Sequence, residues 1–175
     1  MDLSEIPSQA LESVLDEFDG THDLLLLLLY GLNEKTAQFK AHQKMPSIFD
    51  ILWHMAAVKR YYTDIALEKE RPDFNKMPRP QNLAELLAWF DEVHADTRHF
   101  LVSQGEDWLG SIEAVPDHEW ATRGFIVSTL SSHDRYHLGQ MSQMAWAFPE
   151  MRWPGWVNDG GAPYLFQVET PSETT

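Results

Sequence analysis

The chain contains no cysteine, which excludes a disulfide framework, a thiolate metal site and a cysteine nucleophile. Any metal it binds must therefore be held by nitrogen or oxygen ligands. Basic residues are also few: 13 Lys and Arg stand against 27 Asp and Glu, which gives a formal net charge of -14. Such a charge repels phosphate backbones and anionic lipid, so neither nucleic acid nor a membrane is an expected partner.

A long hydrophobic run is missing as well. The longest one, from Leu24 to Tyr30, is far shorter than the roughly 20 residues that a helix needs to cross a bilayer. The first residues are acidic and lack the basic start and apolar stretch of a signal peptide. This pattern favours a cytoplasmic protein.

The apolar residues recur at helical spacing, and no long alternation of apolar and polar residues indicates a sheet. With 175 residues, 43% of them hydrophobic, the chain is long enough to bury one core. We therefore predict an all-α fold, a four-helix bundle. The predicted helices are Ser8 to Leu32, Pro46 to about Lys69, Asn82 to Ser103 and Arg123 to Phe148, with a loop that contains a short strand or turn before the last.

The domain organisation is predicted as a bundle over residues 1–148 followed by a tail over residues 149–175. The tail region is rich in Pro, Gly and aromatic residues, and Trp146, Trp153 and Trp156 are too apolar to remain in water. We expect it to cover a pocket of the bundle or to lie at a dimer interface. Its last residues, TPSETT, are expected to be disordered.

Two histidines on the predicted last helix point to metal chemistry. His133 and His137 are four residues apart, so they share a helix face and their imidazoles can converge on one ion. His54, in the middle of the apolar stripe of the second helix, is the candidate for a third ligand. The pair by itself is also compatible with a solvated face or a hydrogen-bonded core histidine. A shared buried site accounts better for several polar groups on one apolar stripe.

Neighbouring polar residues have two interpretations each. Asp134 is a candidate catalytic base or a helix-surface carboxylate paired with Arg135 or with a Lys or Arg elsewhere in the chain. Gln140 is a candidate catalytic residue that hydrogen-bonds a ligand, the substrate or metal-bound water, or it makes an interhelical hydrogen bond. Asp50 either accepts the remaining N–H of His54 or is an acid in the first turn of its helix. Tyr61 and Tyr62 are expected to pack in the core, although a hydroxyl could reach the pocket.

The other histidines have no comparable pairing and are expected to be structural or exposed. They are His22, His42, His94, His99 and His118. Of these, His94 lies on an apolar stripe and is expected to be a core histidine rather than a residue that enters the metal pocket.

The segments PSIFDILWHMAAVKRYY and SSHDRYHLGQM resemble the DinB/YfiT-like superfamily of metal-dependent enzymes, and the similarity extends from about Leu11 to Met144. The resemblance implies a four-helix bundle and a three-histidine site for zinc or nickel, carried here by His54, His133 and His137. It also implies a homodimer and, in some relatives, the use of a low-molecular-weight thiol such as bacillithiol or mycothiol.

Three functions follow as hypotheses. The first is a metal-dependent S-transferase that activates a low-molecular-weight thiol and acts on a small-molecule substrate. The second is a metal-dependent hydrolase that uses metal-bound water. The third is a non-catalytic, stress-related metal-binding protein.

Overall fold

The computed structural model describes residues 9–40, 42–67 and 72–145, and helices dominate them. The prediction of an all-α fold is confirmed, with one small two-stranded sheet added. The four long helices are α1 (Gln9–Leu29), α3 (Ile48–Ala66), α4 (Leu83–Gln104) and α5 (Arg123–Ala145), and a single turn, α2 (Glu34–Ala37), follows α1. Short 3-10 turns occupy Phe74–Lys76 and Gly105–Trp108.

The four long helices pack around one core. Helix α3 lies against α4 and α5, and α1 lies against the same two helices. Every long helix contributes completely buried apolar side chains, such as Leu25, Leu52, Phe90 and Ile126. Because α3 and α5 are direct neighbours, residues on their facing sides can form one site.

Local capping sets the helix starts where the sequence predicts them. The side chain of Ser47 accepts a hydrogen bond from the backbone N–H of Asp50, and the Asp50 carboxylate accepts one from the backbone N–H of Ser47. Asn82 caps α4 by accepting from the backbone N–H of Glu85. These side chains satisfy N–H groups that have no partner inside the helix.

The predicted helix ends were less accurate. Helix α1 ends at Leu29 rather than Leu32, because the chain turns at Gly31, whose φ of 88° lies outside the helical region. Helix α3 ends at Ala66 rather than at about Lys69, with Leu67 as its C-terminal cap. The predicted end of the last helix, 146–148, and the whole predicted tail, 149–175, lie outside the described residues.

A β-hairpin precedes α5, where a loop with a short strand was predicted. Strand β1 (Ala114–Val115) pairs antiparallel with β2 (His118–Thr122). The start of α5 lies tightly against the preceding loop at Gly124, where an added Cβ would lie 2.8 Å from the carbonyl oxygen of Ser111. The backbone N–H groups of Arg123 and Gly124 donate hydrogen bonds to the carbonyl oxygens of Glu113 and Ser111, which join the loop before the hairpin to the first turn of α5.

None of the described helices combines the length and the apolar character needed to cross a membrane.

A stack of four aromatic rings lies between α1 and α4. His22 and His94 stack with ring centroids 3.7 Å apart, and Phe18 and Phe90 cover the outer faces of the two imidazoles. Both histidines are buried, which confirms the core prediction for His94 and excludes the exposed alternative for His22. Nε2 of His22 lies 3.2 Å from Oδ1 of Asp91, and Nε2 of His94 lies 3.2 Å from Oδ1 of Asp19.

The stacked pair of buried histidines, His22 and His94, should make the protein less stable in mild acid. Burial, followed by repulsion from His94, lowers the pKa of His22 to about 3, and burial followed by repulsion from Lys59 lowers the pKa of His94 to about 4. Histidine pKa values in the unfolded chain are about 6.5. At any pH between the folded and the unfolded values, the unfolded chain therefore binds more protons than the folded protein does. We expect the free energy of unfolding to fall as the pH drops below about 6.5, by up to about 1.4 kcal/mol per pH unit for each histidine.

Urea denaturation between pH 7 and pH 4.5, with a chelator present, measures this dependence. The matched variant is His22→Gln combined with His94→Gln, because glutamine does not titrate and every other histidine of the chain is retained. The variant should show a shallower loss of stability with falling pH. Equal pH dependence in both proteins would contradict the assignment.

Candidate metal centre

Three histidines from two neighbouring helices converge at one point. His54 lies on α3, and His133 and His137 lie one turn apart on α5. The Nε2 atom of His133 is 3.2 Å from Nε2 of His54 and 3.2 Å from Nε2 of His137. One ring nitrogen from each residue lies within 4.8 Å of the other two. The structure thus brings together the three histidines that the sequence singles out as ligands.

The spacing of these nitrogens fits one metal ion. Two imidazole nitrogens bound tetrahedrally to zinc, at about 2.0 to 2.1 Å from it, are about 3.3 Å apart. The observed separations of 3.2 Å agree with this value. Three protein ligands would leave a fourth position open, which is the arrangement of catalytic rather than structural zinc sites.

The hydrogen bond of His137 indicates that its inward nitrogen carries a lone pair. Its Nδ1 atom lies 2.7 Å from Oε1 of Gln140, and an amide oxygen only accepts, so Nδ1 carries the proton and donates it. Burial lowers the pKa of His137 and outweighs the Gln140 hydrogen bond, which raises it. The ring is therefore neutral near pH 7, and Nε2 is free to bind a cation.

His54 is also neutral near pH 7. Burial, together with repulsion from His133 and His137, lowers the pKa of His54 to about 4. A neutral imidazole is the form that binds a metal ion.

A buried ion pair stands behind His133. The Nδ1 atom of His133 lies 3.7 Å from Oδ1 of Asp134, and Oδ2 of Asp134 lies 2.5 Å from Nζ of Lys59. A proton on Nδ1 would face the carboxylate, whereas a lone pair there would repel it. This electrostatic preference leaves the lone pair of His133 on Nε2, directed at the other two histidines. Two such lone pairs 3.2 Å apart repel each other unless a cation lies between them.

The surface position expected for Asp134 is wrong, although its expected pairing with a basic residue is confirmed for a lysine elsewhere in the chain. Its side chain is buried and pairs with Lys59 of α3, while Arg135 instead pairs with Glu17 of α1 at 2.7 Å. Burial alone raises the pKa of Asp134, but the Lys59 ammonium and the interaction with His133 outweigh it, so the carboxylate stays ionised. Oδ2 pairs with Lys59, and Oδ1, which makes no hydrogen bond within the described residues, lies 3.7 Å from Nδ1 of His133, the nitrogen that points away from the other two histidines. The geometry therefore favours a positioning role for Asp134 over the role of a base.

Asp50 does not reach His54. Its carboxylate accepts from the backbone N–H of Ser47 and pairs with Nζ of Lys40 at 2.8 Å. Burial raises the pKa of Asp50, but Lys40 and Ser47 outweigh this effect and lower it. Of the two interpretations, the acid in the first turn of the helix is the correct one.

A family model described as the DinB superfamily matches residues 11–141, three quarters of the chain and all three histidines. The chain belongs to the DinB superfamily. No protein with curated annotation matches it.

Within this DinB chain, sequence reasoning missed Lys59. It lies in α3 on the same face as Met55, Ala56 and Thr63, all of them buried. A lysine on an apolar stripe, one turn after two buried positions, was the signal that a buried counterion had to exist. Only the structure identifies that counterion as Asp134.

Tyr136 was also missed. Its hydroxyl accepts a hydrogen bond of 2.9 Å from Nε2 of Gln140, and its ring lies 5.0 Å from that of His137. Gln140 therefore connects an exposed tyrosine to a candidate ligand. A catalytic role of Gln140 stays a prediction.

Proposed function

We propose that this DinB superfamily chain is a metal-dependent enzyme in which His54, His133 and His137 hold one Zn²⁺ or Ni²⁺ ion that activates a low-molecular-weight thiol. The supporting observation is the convergence of three Nε2 atoms: that of His133 lies 3.2 Å from that of His54 and 3.2 Å from that of His137. The proposed reaction is S-transfer to a small-molecule acceptor.

A bound divalent ion would supply a Lewis acid that lowers the pKa of a thiol in the open position. The chain's own residues keep the three nitrogens ready for it. Gln140 holds the proton of His137 on Nδ1, and the Asp134 carboxylate favours the proton of His133 on Nδ1. Outer partners of this kind fix the tautomer and orientation of ligating histidines.

The proposed S-transfer requires no oxidant or reductant. The thiol proton passes to solvent buffer, and the sulfur electron pair forms a bond to an electrophilic carbon of the acceptor. The leaving group departs with the electron pair of the bond that breaks, or an acceptor double bond takes up a proton.

Hydrolysis is the second candidate. It requires activation of water, whose pKa is about 15.7, whereas a free thiol has a pKa of about 8.5 and needs less help. The placement of Asp134 supports the preference for the thiol, because Lys59 occupies the carboxylate that would otherwise be the base for water. A non-catalytic metal-binding role is the third candidate.

The test combines the zinc- or nickel-loaded protein with a panel of low-molecular-weight thiols and a chromogenic aryl halide. We expect thioether formation above the uncatalysed rate with at least one thiol, lost in His133→Ala and retained in His99→Ala, where an exposed histidine is removed. Metal-dependent cleavage of a nitrophenyl ester without thioether formation would replace the proposal by the hydrolase. Failure of both reactions in the metal-loaded protein would leave the non-catalytic role.

The proposal includes the homodimer that the family resemblance implies. Light scattering coupled to size-exclusion chromatography should give about twice the chain mass of 20.2 kDa. A mass of one chain would contradict this part of the proposal.

A further inference from the structure

An open cleft of about 540 Å³ borders the candidate metal centre. Helix α3 contributes Tyr61 and Tyr62, the connector after it contributes Phe74, and strand β2 contributes Trp120. His133, the histidine in contact with both others of the triad, also lines it. The volume lies within the range of about 300 to 1,000 Å³ that is usual for small-molecule sites.

The wall of this cleft is built from aromatic rings in contact. The ring centroids of Tyr62 and Trp120, which both line the cleft, lie 6.3 Å apart. Phe125, which is not among the lining residues, supports both rings edge to face, at 6.1 Å from Tyr62 and 6.4 Å from Trp120. The ring of Tyr61 lies edge to face with that of Tyr62 at 5.5 Å and stacks on Phe74 with the centroids 4.9 Å apart. Trp120 is 51% exposed and Phe125 is 46% exposed. A cluster of large apolar rings left in water beside a concave surface is typical of a binding site.

The polar groups of the cleft suit an uncharged ligand. Within residues 9–40, 42–67 and 72–145, no lysine, arginine or carboxylate lines it, and Thr129 and the two tyrosines supply hydroxyl groups. Burial, followed by the influence of Tyr61, raises the pKa of Tyr62, so its hydroxyl stays protonated. Away from the metal position proposed at His133, the wall of the cleft offers no cation to an anionic group, and the chain's net charge of -14 adds a general repulsion.

We infer that this cleft binds the acceptor molecule of the proposed reaction through a neutral, ring-bearing apolar group. The identity of the ligand as the acceptor rests on the proposed function. Its neutral, apolar chemistry rests on the cleft itself. Edge-to-face and stacked contacts with Tyr62 and Trp120 hold the ring. The shared wall at His133 brings the rest of the molecule next to the three-histidine site.

Two fluorescent probes with the same ring system test this inference on the full chain without metal. N-phenyl-1-naphthylamine is neutral, and its 8-sulfonate derivative is anionic. We expect saturable binding of the neutral probe and binding at least about tenfold weaker of the anionic one, because the cleft lacks a cation. Equal binding of the two probes, or no saturable binding of the neutral one, would overturn the inference.

Variants locate the probe. Trp120→Ala and Thr129→Arg should each lower the affinity for the neutral probe by about tenfold or more. The first removes a ring contact, and the second puts a charge into the cleft. Tyr30→Ala is the matched control, because this tyrosine is 79% exposed and does not line the cleft. Circular dichroism checks folding, and the two cleft variants alter the site in different ways. Unchanged affinity in both folded variants would overturn the inference.

Metal content measured on the same variants separates this inference from the proposed function. A probe that fails to bind to a protein that still takes up one metal ion overturns the cleft inference alone. A probe that binds the cleft of a chain that takes up no zinc or nickel supports the cleft and overturns the proposed function.

Discussion

Replacing His133 by alanine should abolish stoichiometric binding of Zn²⁺ or Ni²⁺. His133 is the central member of the triad, because its Nε2 atom lies 3.2 Å from Nε2 of both His54 and His137. Its loss leaves two ligands from different helices and removes the link to Asp134. Loss of an outer partner alone typically weakens metal binding by about 10 to 100-fold, so we expect loss of the central ligand to exceed about 100-fold.

Competition with a chromophoric chelator measures the affinity, and elemental analysis of tag-free protein measures the stoichiometry. The wild-type chain should hold one ion, and His54→Ala and His137→Ala should also fail to hold it. His99→Ala is the matched control because it removes an exposed histidine from α4. A wild-type protein that stays metal-free in excess zinc and nickel, or a His133→Ala variant with unchanged affinity, would contradict the assignment.

The second large effect is expected from Lys59→Met, which should lower the free energy of unfolding by about 3 to 5 kcal/mol. Both side chains of the Lys59–Asp134 pair are almost completely buried, and the charged atoms are 2.5 Å apart. Removing the ammonium leaves an uncompensated carboxylate in the interior, which is the costly way to break a buried pair. For a chain of this size, the melting temperature should fall by about 6 to 20 °C.

The control for this prediction is the double variant Lys59→Met with Asp134→Leu. It removes both charges, so it should be more stable than the sum of the two single effects predicts. Lys35→Met, at an exposed lysine, should change stability by less than about 0.5 kcal/mol. Denaturant unfolding of the metal-free proteins gives these values. An unchanged stability of Lys59→Met, or strict additivity in the double variant, would refute the importance of the pair.

The same pair should connect stability with metal binding. If Asp134 orients His133, Asp134→Asn should weaken zinc binding by about 10 to 100-fold while the fold is retained. A role confined to stability would leave the affinity of the folded protein unchanged. The two readouts therefore separate positioning of a ligand from packing of the core.

The features that sequence reasoning predicted well are local ones. Ser47 and Asn82 start helices because their side chains satisfy backbone N–H groups within three residues, a rule that involves no distant contact. His133 and His137 share a face because they are four residues apart on one helix. The helix ends were predicted less well, since Gly31 and Leu67 end α1 and α3 through backbone conformations that composition only suggests.

Features that join distant segments were decided by the tertiary structure. Asp134 could have paired with its neighbour Arg135, but α5 turns it towards Lys59 of α3 and directs Arg135 to Glu17. The hairpin likewise brings Trp120 against Tyr62, which no periodicity indicates.

The sequence by itself determined the helical segments, their caps and the shared face of His133 and His137, because these depend on the period of a helix and on side chains a few residues apart. The packing of α3 against α5 decided that His54 meets them. Only the tertiary structure decided which carboxylate is buried, which lysine neutralises it and which rings line the cleft beside the candidate metal centre. The physical reason is that burial and pairing energies depend on which helix faces pack together, and those faces come from parts of the chain far apart in sequence.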